Sequence, residues 1–564
     1  MNKKLTRFLA IMMMLILVFT SATACGGRTD DDGPQIDQNK TQLNIGMWPG
    51  AYEEGISLET AKRFEEKYAG VSFEEGKMGV QVVFNPSANY KASVMTGNFA
   101  SYNEDIYILP ESTYYDNIGD GQGDFLEITD VVNSQYSYDF VSGKTISGQE
   151  SGTVKDKMYE SDLAWMNVGS ETEPKYYAMP MYQSYFGIWY DVKLFEEKGW
   201  FFRSNADNSA FINAENPTKS AGPDGEVGTY DDGLPATYAQ FINLCKRIRQ
   251  ANVTPIIWSG KYADYFDDFL VSLYADYCGL EQMQTLVKLN GEHDIITGFS
   301  DGVPQITTAN ISEDNAYTAY EDSAGKYYAI KFAEELLTTQ VNGKKLYYNE
   351  ADYGGMSHTG AQSKFVGGKY AGSPCAMFID GSYWWYESHQ ARDGVDGITN
   401  RYKVQESDYQ YGLLPMPKAT SEKIGEKMTV VNGNTVLCAS RYIAPEKINL
   451  AKAFMQFLTQ EKSLVEFFDR YTMLMPYKLN WDKDSDLYKN TSVLGRSVLD
   501  ASKNMDIFTP LDSNSTYRKL ASKINVNDNA FSGKSPVYEF TSLTPTYTAQ
   551  TLFETLNFKA VFGK

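Results

Sequence analysis

Three short apolar runs near the start of the chain decide the fold: LNIGMW (residues 43–48), VQVVFNP (80–86) and EDIYILP (104–110). Each run has the length and the β-branched and aromatic content of a buried strand. Apolar residues recur at helical spacing from 58 to 68, and a second helical stretch lies near residues 90–95. This alternation of strand and helix predicts an α/β lobe with a parallel sheet.

Two polar or aromatic residues lie at the carboxyl ends of these predicted strands. Trp48 is the last residue of the first run, and Glu111 directly follows the third. Ligands of open parallel sheets bind beyond the carboxyl ends of the strands. We therefore expect Trp48 and Glu111 to line a ligand site.

Length, charge and aromatic content limit the kind of protein this is. A chain of 564 residues is too long for one hydrophobic core and predicts two or three lobes. The formal net charge of −21 argues against nucleic acid or anionic lipid as the main partner. The 41 Tyr residues suit surfaces that bind through both a ring and a hydroxyl. The composition indicates a neutral ligand.

The first 25 residues have the features of an export signal. A positively charged start is followed by an apolar run, residues 8–19, that is too short for a comfortable transmembrane helix. Small residues then lead to Cys25, and this arrangement resembles a bacterial lipobox, whose Cys is lipidated and becomes the mature N-terminus. Ala22 occupies the position at which lipoboxes prefer Leu. An ordinary cleaved signal is the alternative.

The lipobox predicts where the protein is found. Residues 26–42 are polar and acidic and read as a disordered tether. No later segment is apolar enough to span a bilayer, so we expect a body anchored through Cys25 to the extracellular face of the bacterial cytoplasmic membrane. The other cysteines show no spacing typical of zinc sites, and we expect buried thiols at these positions. They are Cys245, Cys278, Cys375 and Cys438.

Further along, the chain resembles a known family. Residues 178–200, AMPMYQSYFGIWYDVKLFEEKGW, are similar to a signature of extracellular solute-binding protein family 1, the maltose-binding-protein-like, carbohydrate-binding lipoproteins of ABC importers. Five more similar pieces follow in the family's order, from GLPATYAQFINLCKRI (233–248) and CAMFIDGSYWW (375–385) through YGLLPMP (411–417) and the segment 430–468 to TMLMPY (472–477).

The resemblance implies a two-lobed, periplasmic-binding-protein-like α/β fold with a ligand cleft between lobes joined by hinge crossings. The N-terminal lobe would comprise residues 43–185 and a return segment, 437–475. The C-terminal lobe would comprise residues 186–436 and the tail 476–564, with two insertions at 201–233 and 290–373. The crossings would lie near residues 185–188, 435–440 and 471–477.

Four consecutive aromatic residues, Tyr383 to Tyr386, follow the predicted strand MFID. The family's ring at this point, usually Trp, falls on Tyr383, so the resemblance implies that Tyr383 and its neighbour Trp384 line the cleft. Aromatic rings cover the flat faces of sugars at little entropic cost. Trp385 and Tyr386 are expected to begin a helix and pack inward. The alternative is that all four rings belong to the core and its rim.

Other cleft candidates follow from position. Trp258 ends the predicted strand TPIIW, and Tyr262 and Tyr265 follow it closely. Core packing is the alternative for either Tyr. Four further residues flank the implied crossings, where both lobes and a ligand would meet: Ser184, Tyr185, Asn432 and Asn434. The two Asn residues are equally compatible with a turn around Gly433.

The segment AGPDGEVGTYDDGLP, residues 221–235, sets four carboxylates among glycines: Asp224, Glu226, Asp231 and Asp232. Calcium prefers several oxygen ligands on a flexible loop, so this segment is a candidate structural calcium site. The spacing differs from the EF-hand, and a solvated acidic loop is the alternative. No other cofactor is expected.

The sequence gives little support for catalysis. GMSHTG, residues 355–360, misses the G-x-S-x-G spacing by one residue, and the three histidines form no ligand pair. The resemblance implies a monomeric binding protein, not an enzyme, that captures an oligosaccharide or other sugar by hinge closure and delivers it to ABC permease subunits. Two alternatives stay open at this point. One is an extracellular glycoside hydrolase, and the other is a sensory sugar-binding protein that reports to a receptor kinase.

Overall fold

The computed structural model describes residues 36–47, 58–86, 97, 99–102, 104–118, 123–204, 210–262, 264–389, 397, 401–403, 410–542 and 546–564. Cys25 and Trp48 lie outside these residues, as does the side chain of Asn434. In the described part, the chain forms two α/β lobes, each with its own sheet and hydrophobic core. The α/β prediction is confirmed.

The strands, in chain order, are Thr41–Met47 (β1), Val80–Pro86 (β2), Ile106–Pro110 (β3), Tyr138–Asp139 (β4), Lys144–Thr145 (β5), Met179–Ser184 (β6), Phe186–Asp191 (β7), Thr254–Ile257 (β8), Gly291–Ser300 (β9), Val303–Ile311 (β10), Gln340–Val341 (β11), Lys344–Lys345 (β12), Cys375–Gly381 (β13), Tyr411–Leu414 (β14), Met428–Val431 (β15), Gly433–Ala439 (β16) and Met505–Phe508 (β17).

The α-helices, in chain order, are Leu58–Lys67 (α1), Glu111–Ile118 (α2), Thr129–Val132 (α3), Val154–Lys157 (α4), Glu160–Met166 (α5), Val192–Lys198 (α6), Tyr238–Gln250 (α7), Asp264–Lys288 (α8), Tyr317–Glu321 (α9), Ala324–Thr338 (α10), His358–Gly367 (α11), Trp384–His389 (α12), Ile448–Leu458 (α13), Glu461–Tyr471 (α14), Asp486–Asn490 (α15), Val493–Ser502 (α16), Ser515–Ile524 (α17), Val526–Asn529 (α18), Pro536–Thr541 (α19) and Ala549–Phe553 (α20).

The sheet of the first lobe has the strand order β2-β1-β3-β16-β6. β1 runs parallel to β2 and β3, whereas β16 runs antiparallel to both β3 and β6. Phe64 of α1 contacts Phe454 of α13, with ring centroids 4.8 Å apart, so the helix of the return segment packs on this lobe. The return begins at Gly433, four residues before the predicted start at 437, because the whole of β16 pairs within this sheet.

The sheet of the second lobe has the strand order β14-β7-β13-β8. β13 runs parallel to β8 and antiparallel to β7, which also pairs antiparallel with β14. The tail returns here, because β17 pairs in parallel with β15 and the residues after it fill the second core. The predicted insertion at 290–373 contains the hairpin β9–β10 and α10, which packs on α8.

Two further findings concern the whole described part. None of its helices combines the length and apolar character needed to cross a membrane. Cys245, Cys278, Cys375 and Cys438 are free and buried, as predicted.

Candidate functional site

Strand direction brings one edge of each sheet to the boundary between the lobes. β1, β2, β3 and β6 end at the same edge of the first sheet, where β16 begins. In the second sheet β8, β13 and β14 end at the edge where β7 begins. Since Tyr185 alone separates β6 from β7, these two edges face each other. The space between them is the candidate cleft.

Five ring residues gather at the second-lobe edge of this cleft, and we call them the aromatic cluster: Phe186, Tyr262, Tyr265, His358 and Tyr383. The Phe186 ring lies 5.3 Å from Tyr265 and 6.3 Å from Tyr383, both in edge-to-face geometry. His358 stacks on Tyr265, with ring centroids 6.0 Å apart. Tyr262 is 38% exposed, so part of the cluster's ring surface is open to solvent.

A buried polar network lies behind the aromatic cluster. Gln362 donates its Nε2–H to Glu387 Oε2 at 2.7 Å and lies 3.4 Å from Asp380 Oδ2. His358 Nε2 lies 3.5 Å from the other oxygen of Glu387. Burial and then the charge of Glu387 raise the pKa of Asp380 well above its usual range. The network fixes the start of α11 and thereby the position of the His358 ring.

Glu111 lies on the first-lobe side of the cleft, at the first position of α2. It is buried, and it is one of several groups that, after burial itself, raise the pKa of Tyr517 in the tail. One turn on, the Tyr115 hydroxyl donates to the backbone oxygen of Asp512 and accepts a 3.2 Å hydrogen bond from Arg518 Nε. The tail therefore bridges the two lobes next to Glu111.

The first two crossings are joined by hydrogen bonds through Asn432. The side-chain oxygen of Asn432 accepts from the backbone N–H of Ser184 at 3.1 Å. The backbone N–H of Asn432 donates to the backbone carbonyl of Phe508 at 2.9 Å. The backbone carbonyl of Asn432 accepts a 3.1 Å hydrogen bond from Asn527 Nδ2. Ser184 Oγ donates in turn to the carbonyl of Gly433 at 2.7 Å. Ser184 and Asn432 thus hold the crossings to each other, and Asn432 is 1% exposed.

This two-lobed geometry agrees with the comparison with known families. Residues 57–464 match the model of the family described as bacterial extracellular solute-binding protein. The chain belongs to this family. Its members are binding proteins, so the match favours a ligand cleft over a catalytic one.

The chain is also similar to solved structures of low sequence identity. A probable secreted solute-binding lipoprotein from Streptomyces coelicolor is 11% identical, covering 93% of this chain and 98% of that chain, with a TM-score of 0.50. Streptococcus pneumoniae RafE in complex with raffinose is 14% identical, covering 91% of this chain and 99% of that chain, with a TM-score of 0.47. Maltose-bound MalE3 of T. maritima is 12% identical, covering 93% of this chain and 98% of that chain, with a TM-score of 0.45. No curated protein matches the chain.

Two predicted cleft residues of the solute-binding protein belong to the core instead. Trp384 is fully buried, 5.5 Å from Phe378 and 5.6 Å from Phe365 between ring centroids. As the first residue of α12 it turns back onto the sheet, and Trp385 keeps partial exposure, which reverses the expectation for these two rings. Trp258 is also fully buried, against Phe266 and Tyr347.

The remaining predicted residues fall into three groups. Tyr262 and Tyr383 share the aromatic cluster, and Ser184 and Asn432 share the crossing. Tyr185 is buried between the lobes, 6% exposed. Tyr265, which the sequence offered with Tyr262, also belongs to the cluster. Sequence reasoning missed Phe186 as a cluster member, and it named His358 only within a near-miss motif. Phe186 directly follows the predicted Tyr185, so strand-end position was the available signal.

The acidic loop is partly buried. The Asp231 carboxylate accepts from Thr229 Oγ1 at 2.6 Å and from the Asp224 N–H at 3.2 Å, and burial raises the pKa of Asp231 to about 7. Asp232 and Asp224 accept backbone N–H bonds from Gly228 and Glu226. Among the residues that the structure describes, no three His, Cys, Asp or Glu side chains are grouped as metal ligands would be.

Proposed function

We propose that the cleft binds a carbohydrate, specifically an oligosaccharide, and that the protein delivers it to an ABC permease. The aromatic cluster supports this proposal most directly. Its rings offer an apolar platform for sugar C–H faces. The hydroxyls of Tyr262, Tyr265 and Tyr383 are suited to hydrogen-bond the hydroxyl groups at the edge of the sugar ring. The Glu111 carboxylate on the facing lobe is the kind of acceptor that sugar hydroxyls require.

The two-lobed form suggests how capture works. Ligand that contacts both lobes favours the closed arrangement by its differential affinity for the closed and open states. The Asn432 and Ser184 hydrogen bonds keep the crossings together while the angle between lobes changes. A membrane permease that recognises the closed form would then receive the sugar.

A thermal-shift screen against a panel of oligosaccharides tests the proposal. A ligand that binds only the folded chain stabilises it by mass action, so at about 100 times Kd we expect stabilisation of roughly 2.7 kcal/mol. The same sugars are then incubated with the protein and assayed for new reducing ends. A shift without new reducing ends supports a binding protein. New reducing ends would favour the glycoside hydrolase, and no shift with any sugar would contradict carbohydrate binding.

Lipid anchoring through Cys25 is part of the proposal, because the export signal ends in a lipobox-like sequence. We expect Cys25→Ser to move the protein from the membrane fraction to the medium, since the acyl chains that hold it would be absent. Fractionation of cells that express each form measures this. Equal membrane partition of variant and parent would contradict anchoring.

Calcium binding by residues 221–235 also stays a prediction. If Asp224, Asp231 and Asp232 bind the ion, a chelator should lower the melting temperature and added calcium should restore it. An unchanged melting temperature would leave a solvated acidic loop.

A further inference from the structure

A separate cavity of about 400 Å³ lies between the lobes, and no member of the aromatic cluster lines it. Its first-lobe wall contains Asp162 of α5 and Gln183 of β6. Its second-lobe wall contains Val498 of α16 and Ile507 of β17. Residues 472–474 and 477–479, on the third crossing, close it. Tyr185 of the first crossing and Ser382, the neighbour of Tyr383, also line it. The cavity therefore lies at the hinge, beside the aromatic cluster but not lined by its rings.

One side chain in this cavity has an unusual environment. Asp162 is 3% exposed, and Trp165 Nε1 donates to its Oδ1 at 3.1 Å. In the described part of the chain no lysine or arginine forms an ion pair with it. Burial raises the pKa of Asp162 to about 7. A carboxyl group with so few partners, facing a cavity, is an acceptor for a positive or hydrogen-bond-donating group.

Two lysines also line the cavity, but each is directed elsewhere. Lys478 Nζ donates to the carbonyl of Asp156 at 3.3 Å. Lys503 Nζ lies 3.9 Å from the centre of the Trp481 ring. Both are exposed, whereas Asp162 is buried, so the lysines are placed at the rim and leave the carboxyl group without a counter-charge.

The rest of the lining combines apolar and aromatic side chains with hydroxyl groups and with Asp506, which pairs with Lys427 at 3.3 Å. Met473, Leu474 and Ile507 contribute aliphatic surface, and Tyr159 and Tyr477 contribute rings. The Tyr477 hydroxyl is already used, because it donates to the carbonyl of Pro180 at 2.7 Å. Aromatic faces attract cations, and aliphatic side chains favour hydrocarbon. The walls thus suit a ligand with an apolar body and one cationic group.

We propose that this hinge cavity binds a small organic amine, whose ammonium group pairs with the Asp162 carboxylate and whose hydrocarbon part packs on Met473, Leu474 and Ile507. The volume is within the range of small-molecule sites. Because both lobes line the cavity, its occupancy is coupled to the angle between them, and the amine and the cleft ligand then affect each other's affinity by the same factor.

Calorimetric titration of the full body of the protein tests this, with cyclohexylamine as probe and cyclohexanol as its uncharged match. We expect cyclohexylamine to bind at least about tenfold more tightly than cyclohexanol. Asp162→Asn keeps the shape and the acceptor for Trp165 but removes the charge, so it should abolish that difference. Glu160→Gln, on the same helix but exposed and outside the cavity, should leave it intact.

A second variant makes the outcome independent of how Asp162→Asn folds. Leu474→Trp places a large ring in the cavity and keeps the Asp162 side chain, so it should remove cyclohexylamine binding. A thermal melt shows whether the variant is folded. No heat of binding at millimolar amine, equal binding of amine and alcohol, or undiminished amine binding to either variant would each overturn the proposal.

Discussion

Replacing Trp384 with alanine is expected to lower the free energy of unfolding by about 3–5 kcal/mol, because a fully buried ring is removed and a cavity remains. The ring lies 5.5 Å from Phe378, 5.6 Å from Tyr411 and 6.0 Å from Trp189 between centroids. These partners come from β13, β14 and β7, so the side chain joins three of the four strands of the second sheet.

Denaturant unfolding of parent and variant measures this loss. Trp385→Ala is the matched control, since Trp385 is adjacent but partly exposed and should cost clearly less. If Trp385→Ala costs more than Trp384→Ala, the two rings have been assigned to the wrong environments.

The second large effect is expected from Lys418→Met. Lys418 Nζ lies 2.8 Å from Asp276 Oδ1, and the two residues are each 1% exposed. Burial raises the pKa of Asp276 to about 6, against the opposing effect of Lys418. Removing one partner of a buried pair leaves an uncompensated charge, and the usual cost is about 3–5 kcal/mol.

The pH dependence of this loss has a definite sign. Without Lys418, the pKa of folded Asp276 rises further above its unfolded value of about 3.9. The stability of the Lys418→Met variant therefore falls as pH rises between those two values and stays low above them. The loss of stability relative to the parent should be larger at about pH 8 than at about pH 5.

Lys427→Met is the control for Lys418→Met. Its partner Asp506 is 3.3 Å away and the lysine is 58% exposed, so the change should stay within about 1 kcal/mol. Denaturant unfolding at both pH values gives all of these numbers. An equal loss of stability for Lys418→Met at the two pH values would contradict the claim that the variant leaves Asp276 buried and without its charge partner.

The sequence predicted the parts of the fold that depend on local pattern. The runs at 43–48, 80–86 and 104–110 correspond to β1, β2 and β3, because strand length, β-branched content and the intervening helical spacing are local properties. The family signature added the second lobe. The placement of Asn432 and Ser184 at a crossing also followed from this resemblance, but their hydrogen bond connects residues 248 apart, which no local pattern encodes.

The side-chain environments were harder to predict. In YWWY, helix and strand periods give no unique answer, and whether Trp384 or Trp385 faces the core depends on where α12 begins relative to β13. Phe186 and Tyr265 meet because β7 starts and α8 follows β8 at the same sheet edge, a contact between residues 79 apart. Asp162 gave no sequence signal, since its burial depends on the third crossing.

The central claim is that the aromatic cluster binds sugar in the cleft. It is tested most directly by calorimetric titration of parent and Tyr383→Ala with the oligosaccharide that gives the largest thermal shift. Loss of one stacking ring and its apolar contact should weaken binding about tenfold to a hundredfold, while the melting temperature without sugar barely changes. Unchanged sugar affinity in a folded Tyr383→Ala protein would contradict the account.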